Sequence, residues 1–184
     1  MGARYNHLHH FHHLRQIVSY LSLYRKYRSQ TFADLIGQDH VVKTLQNAVS
    51  SGKTAHAYLF TGPRGTGKTS SARLLAKCLQ CERGPTPEPC NECDACTSIT
   101  AGNCVDVFEL DAASESGVEN VREAIVEAVQ YQPNFCRYRV FVIDEVHDLS
   151  SKAFDALLKT VEEPPAHVVF ILATTEYNLS LIHI

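Results

Sequence analysis

Gly62–Thr69 reads GPRGTGKT, a match to G-x-x-x-x-G-K-[ST], and this octapeptide constrains the fold of the chain more than any other feature. It follows a short apolar run, Ala57–Phe60, and precedes apolar residues at helical spacing, Ala72, Leu75, Ala76 and Leu79. Strand, glycine-rich loop and helix in that order form a cradle for phosphate. The glycines let backbone N–H groups turn inward around phosphate oxygens, and the helix presents its positive end to the same anion. Gly62, Pro63, Arg64, Gly65, Thr66, Gly67, Lys68, Thr69 and Ser70 are therefore the expected nucleotide contacts. Lys68 is expected to reach the β and γ phosphates and Thr69 to ligate Mg²⁺. A chance glycine-rich turn would require neither the strand nor the helix.

Three further strands are expected, at Val105–Leu110, Tyr138–Ile143 and Val168–Ala173. The last two have the near-continuous hydrophobicity of strands covered on both faces, which implies a parallel sheet. Helical spacing recurs at Val41, Leu45 and Val49, at Val118, Val121, Ile125 and Val129, and at Phe154, Leu157, Leu158 and Val161, the last ended by Pro164 and Pro165. Alternating strands and helices give an α/β doubly wound fold. The Tyr138–Ile143 strand runs into Asp144 and Glu145. Asp144 fits a Mg²⁺-holding carboxylate, and Glu145 stands where it could orient or deprotonate an attacking water. Asp144, Glu145, Val146 and His147 also match a helicase D-E-x-H box, so a helicase-like ATPase is an alternative.

The chain has 184 residues, 45% of them apolar, which suits one globular domain. Its longest apolar run, Val168–Ala173, is far short of the ~20 residues of a membrane-spanning helix, and the N-terminus lacks the pattern of a secretory signal. No membrane partner is expected, and the cytoplasm is the expected location. A net charge of −3 argues against a free-standing nucleic-acid-binding module.

Residues 80–104 interrupt the strand–helix alternation with Pro, Gly and a run of cysteines. Cys81, Cys90, Cys93 and Cys96 are spaced so that four thiolates can converge on one ion. A tetrahedral zinc site is the natural reading, with an iron–sulfur cluster the alternative. Four thiolate ligands leave no open position, so the metal is expected to be structural. Its loss is expected to loosen 80–104 rather than abolish the phosphate site. Cys78, Cys104 and Cys136 lie outside the run and receive no function.

Taken together, these stretches resemble one family, the tau/gamma subunits of the bacterial DNA polymerase III clamp loader, which are AAA+ ATPases. The resemblance runs through Leu23–Val42, Ala57–Leu79, the cysteine insertion, Glu109–Glu123, Val140–Ser150, Ala156–Pro165 and Ile171–Glu176. It implies a P-loop AAA+ domain with strand order 5-1-4-3-2 and an inserted Cys₄ zinc module. It also implies ATP bound between neighbours in a five-membered ring that loads the sliding clamp onto primer-template DNA. The other clamp-loader subunits, the clamp and DNA are thus implied partners, and ATP, Mg²⁺ and Zn²⁺ implied cofactors. Within that family Tyr24–Val41 corresponds to the adenine-side wall, and Thr175 falls on the sensor of the γ-phosphate. With Lys68, Asp144 and Glu145 it completes the expected catalytic set. A related subunit, delta-prime, typically carries a degraded phosphate loop, whereas here the loop is whole.

Ser29 and Asp148 depart from the family's usual Pro and Met. Residues 1–17, with His7, His9, His10, His12 and His13, have no counterpart and are expected to be an extension preceding an alternative start at Val18. The ATPase domain is expected over 18–176, with its zinc insertion at 80–104. Residues 177–184 do not resemble the family's continuation, so a truncation lacking the fifth strand, lid and collar is expected. A zinc-bearing scaffold that binds nucleotide without turnover is the remaining alternative, and Glu145 beside Asp144 speaks against it.

Overall fold

A computed structural model describes residues 29–114 and 125–177. The strands are β1 (Ala57–Thr61), β2 (Val107–Asp111), β3 (Arg139–Asp144) and β4 (Val168–Thr174). The helices are α1 (Asp39–Ser50), α2 (Lys68–Gln80), α3 (Asp94–Ala101) and α4 (Ser151–Glu162), with short 3₁₀ turns at Phe32–Asp34 and Val146–Asp148. Residues 125–129 are helical, while Val118 and Val121 of that expected helix, residues 1–17 and residues 178–184 lie outside the described residues.

All three strand pairings are parallel, in the order β1-β4-β3-β2. The two central strands carry the apolar runs and are buried along almost their whole length. Because side chains alternate across a strand, each central strand feeds two cores. Val140, Val142, Val169 and Ile171 pack with Leu45, Val49, Leu74 and Leu75 of α1 and α2. Phe141, Ile143, Phe170 and Leu172 pack on the other face with Val129, Phe154 and Leu157. Phe108, Phe141 and Phe170 are register partners on adjacent strands and stack at 5.2 and 5.3 Å.

Two strand starts differ from expectation. β2 begins at Val107 because Val107 N–H closes a turn onto Cys104 O at 3.2 Å, and Val105 is left exposed. Tyr138 precedes β3, since its backbone N–H and carbonyl are both taken by the Gln80 side chain. The insertion contains an unforeseen helix, α3, which starts beside Cys93 and ends at Gly102 in the left-handed conformation (φ 74°). On α2 the polar positions Ser71, Lys77 and Gln80 are buried, although an amphipathic reading would turn them to water.

Candidate functional site

The phosphate loop joins β1 to α2. Gly65 and Gly67 have φ of 84° and 86°, a left-handed backbone that a side chain would strain. Gly62 N–H donates to Thr174 O at 3.2 Å, tying the loop to the end of β4. Thr66 Oγ1 donates to Pro63 O at 2.9 Å, and Lys68 Nζ donates to Gly62 O at 2.8 Å and Pro63 O at 3.2 Å. The loop thus holds its ammonium in place, and α2 starts at Lys68 with its free N–H groups directed at the loop.

Across the loop, β3 ends in Asp144, whose Oδ2 accepts a hydrogen bond from Thr69 Oγ1. Glu145 takes a left-handed conformation (φ 47°, ψ 47°), uncommon for a residue with a side chain and characteristic of functional sites. Its carboxylate lies 3.4 Å from Arg64 Nε, 3.6 Å from His147 Nδ1 and 3.5 Å from Thr175 Oγ1. His147 was passed over as a site residue. It contacts Thr174 Oγ1 at 3.0 Å, and the Asp-Glu-Val-His run was its only signal.

These groups open on a cleft of about 450 Å³. Arg64, Gly65, Thr66, Gly67, Lys68, Thr69 and Ser70 line one side, with Asp144 and Glu145 at the end of β3. Ser29, Asp34, Leu35, Ile36 and Gln38 form the opposite wall, within the stretch expected beside adenine; residues 24–28 lie outside the described residues. Gly62, Pro63 and Thr175, also expected at the site, are not among the lining residues. A glycine-rich loop of N–H donors, a lysine and a Thr–Asp oxygen pair is the donor set that a magnesium nucleotide requires.

The second cluster forms as expected. The sulfurs of Cys81, Cys90, Cys93 and Cys96 all lie within 4.8 Å of one another. Four thiolates around zinc stand about 3.8 Å apart at Zn–S distances near 2.3 Å, so this donor set can close on a metal ion with small adjustment. Cys90 N–H donates to Cys81 Sγ at 3.5 Å and Cys93 N–H to Cys90 Sγ at 3.4 Å. The N–H groups of Glu92 and Cys93 draw the Cys90 thiol down to about 6, while burial pushes Cys96 up. Cys78 is held at about 12 by burial, as befits an inert core thiol.

Fold and cleft together define a P-loop nucleotide-binding domain of the AAA+ type. Two solved RuvB structures from Thermotoga maritima share the fold. One matches at TM-score 0.54 and 22% identity, covering 83% of this chain and 43% of that one. The other, titled a Holliday junction branch migration motor, matches at TM-score 0.50 and 21% identity over 81% and 41%. The chain belongs to the DNA polymerase III subunit family described as "DNA polymerase III, delta subunit", whose sequence model matches residues 37–184. It is 57% identical over 159 residues to DNA polymerase III subunit tau of Bacillus subtilis, 56% to that of Escherichia coli, and 51% over 161 residues to subunit gamma of Buchnera aphidicola. It covers 28%, 25% and 44% of those proteins' lengths.

Proposed function

We propose that this chain is an ATP-binding and ATP-hydrolysing motor subunit of a DNA polymerase III clamp loader. The observation that carries the reading is the convergence of Lys68, Thr69, Asp144 and Glu145 on one cleft, in a chain this similar to tau. Lys68 binds the β and γ phosphates, and the loop N–H groups hold the rest of the chain of phosphates. Thr69 and Asp144 would hold Mg²⁺, which when bound supplies neutralising charge to the transferred phosphoryl group. Glu145 receives the proton of the attacking water, and Thr175 Oγ1, against the same carboxylate, reports the γ-phosphate.

Cys81, Cys90, Cys93 and Cys96 would hold zinc, whose chemistry there is to lock the insertion. The partners are the other loader subunits in a five-membered ring, the sliding clamp, and primer-template DNA reached through the assembly. The cytoplasm is the setting for that work; among the described residues no helix is long and apolar enough to cross a membrane. Residues 18–176 form the ATPase domain. Family membership disfavours the helicase-like alternative, and Glu145 disfavours the non-hydrolysing scaffold.

Titrating Mg·ATP into the wild-type chain and into Lys68→Ala tests the site. A charge-assisted contact is worth about 1.5–3 kcal/mol, so affinity is expected to fall roughly 10- to 100-fold. Equal affinity in the two proteins would remove the basis of the reading.

A further inference from the structure

Lys77 is buried, with 2% of its surface exposed, in the last turn of α2, the helix whose first turn follows the phosphate loop. Its ammonium donates to Gln30 Oε1 at 2.8 Å, Asn91 Oδ1 at 2.8 Å and Gln30 O at 3.5 Å. These acceptors come from two distant places. Asn91 lies between the ligand candidates Cys90 and Cys93, in a left-handed conformation (φ 59°), with its amide nitrogen donating to Pro89 O at 3.2 Å. Gln30 belongs to the segment that walls the nucleotide cleft. Thr100, one turn beyond Cys96 on α3, brings its hydroxyl within 3.3 Å of the same Gln30 Oε1.

From Gln30 the connection continues to the cleft. Gln30 N–H and Thr31 N–H both donate to Asp34 Oδ2, at 2.9 and 2.8 Å, and this closes the 3₁₀ turn that carries Asp34 and Leu35. Leu35 is buried against the phosphate loop, where a Cβ on Gly67 would meet its Cδ2 at 3.5 Å. Asp34, Leu35 and Ile36 then line the cleft.

A cation removed from water requires its acceptors, and withdrawing one leaves a costly unpaired charge. Lys77 cannot keep Gln30 in place if the Asn91 loop drifts away. Closure of the four sulfurs on a metal would fix that loop, and a metal bound by four thiolates would itself be anionic, a counter-charge to the buried ammonium.

We propose that Lys77 is a positioning residue which couples the metal-closed cysteine module to the wall of the nucleotide cleft, so that losing the metal weakens nucleotide binding. This rests on the cleft being the ATP site, and it sharpens the expectation that losing the metal loosens the insertion without abolishing that site. Coupling between such sites is typically 5- to 150-fold in affinity, and a path of few hydrogen bonds belongs near the low end, roughly 5- to 20-fold.

The test compares zinc-loaded and chelator-stripped chain, with zinc counted by metal analysis, for wild type, Lys77→Met and the milder change at half-buried Gln30, Gln30→Ala. Mg·ATP affinity and amide exchange over residues 30–36 are read in each. Stripping zinc from the wild type is expected to lower affinity roughly 5- to 20-fold and to speed exchange at 30–36, both reversed by added zinc. Gln30→Ala is expected to keep its zinc, start with weakened affinity and respond little to stripping. Unchanged affinity and unchanged exchange at 30–36 in stripped wild type would overturn the coupling. So would loss of protection throughout β3 and β4, since the metal would then hold the whole fold rather than one wall. If zinc-loaded wild type fails to bind Mg·ATP, the site assignment falls, while exchange at 30–36 still decides the coupling.

Discussion

Replacing Asp106 by Asn should destabilise the domain severely, although the side chain lies away from the cleft. Asp106 is fully buried, and its carboxylate accepts from Asn134 N–H at 2.7 Å, Asn134 Nδ2 at 3.2 Å, and Phe135 and Cys136 N–H at 2.9 Å each. Its own carbonyl accepts from Val140 N–H at 2.9 Å, at the start of the strand that ends in Asp144. An asparagine keeps one acceptor oxygen and turns an NH₂ group toward backbone donors. At least two charge-assisted bonds are lost at about 1.5–3 kcal/mol each, giving about 3–6 kcal/mol. Against a total stability of about 5–15 kcal/mol, that is a large fraction.

Urea unfolding read by circular dichroism would show it. With m near 2 kcal/mol/M, the midpoint should drop by roughly 1.5–3 M. The pH dependence gives a second reading. Burial alone would raise the Asp106 carboxyl, but the N–H groups of Asn134, Phe135 and Cys136 outweigh it and hold the group below the usual carboxylate range. A depressed folded value contributes stability above the unfolded value of about 3.9 and loses it as pH falls through the folded one. Wild type should therefore lose stability on acidification below about pH 4 more steeply than Asp106→Asn. A midpoint shift worth less than about 1 kcal/mol, with parallel acid limbs, would refute the reasoning.

Other outcomes follow from the two clusters. Metal analysis should find one zinc per chain and no visible absorbance, and Cys93→Ala should lose it; iron, or full zinc in that variant, would contradict the assignment. In related phosphate-loop enzymes an arginine supplied by a partner is worth about 10³–10⁵ in rate. The chain alone should bind Mg·ATP yet turn over slowly, and steady-state turnover equal to that of an assembled loader would contradict this. The Asp34 carboxyl is held below its usual range by the N–H groups of Thr31 and Gln30. Protection of the amides at 30–35, measured relative to intrinsic exchange, should accordingly persist above the carboxylate range and be lost as pH falls through the lowered Asp34 value.

Much of the cleft was legible because its chemistry is local. A strand, three glycines, a lysine and a threonine are contiguous, and the buried strand ending in Asp144 and Glu145 announces itself by composition. The cysteine spacing likewise required four sulfurs to be near one another. What escaped the sequence depends on contacts between distant segments. Nothing about Lys77 or Gln80 distinguishes them from solvated helix residues until α3 and Tyr138 cover them. α3 itself, DACTSITA, has too short and polar a pattern to read as a helix. The left-handed turn at Glu145, which brings its carboxylate to His147 and Thr175, follows from how β3 meets the next turn and leaves no mark on residue type. The early start expected for β2 failed for a similar reason: Val105 and Asp106 look like strand, but Asp106 is used to anchor the 134–136 loop.

On the proposed function, the cleft binds ATP and Glu145 takes the proton of the attacking water. The most direct measurement is single-turnover hydrolysis alongside Mg·ATP affinity for Glu145→Gln and wild type, each assembled with the other loader subunits. Affinity close to wild type is expected, with a rate lower by about 10²- to 10⁴-fold, the usual contribution of a positioned general base. Hydrolysis near the native rate in Glu145→Gln, or a loss of binding as large as the loss of rate, would contradict it.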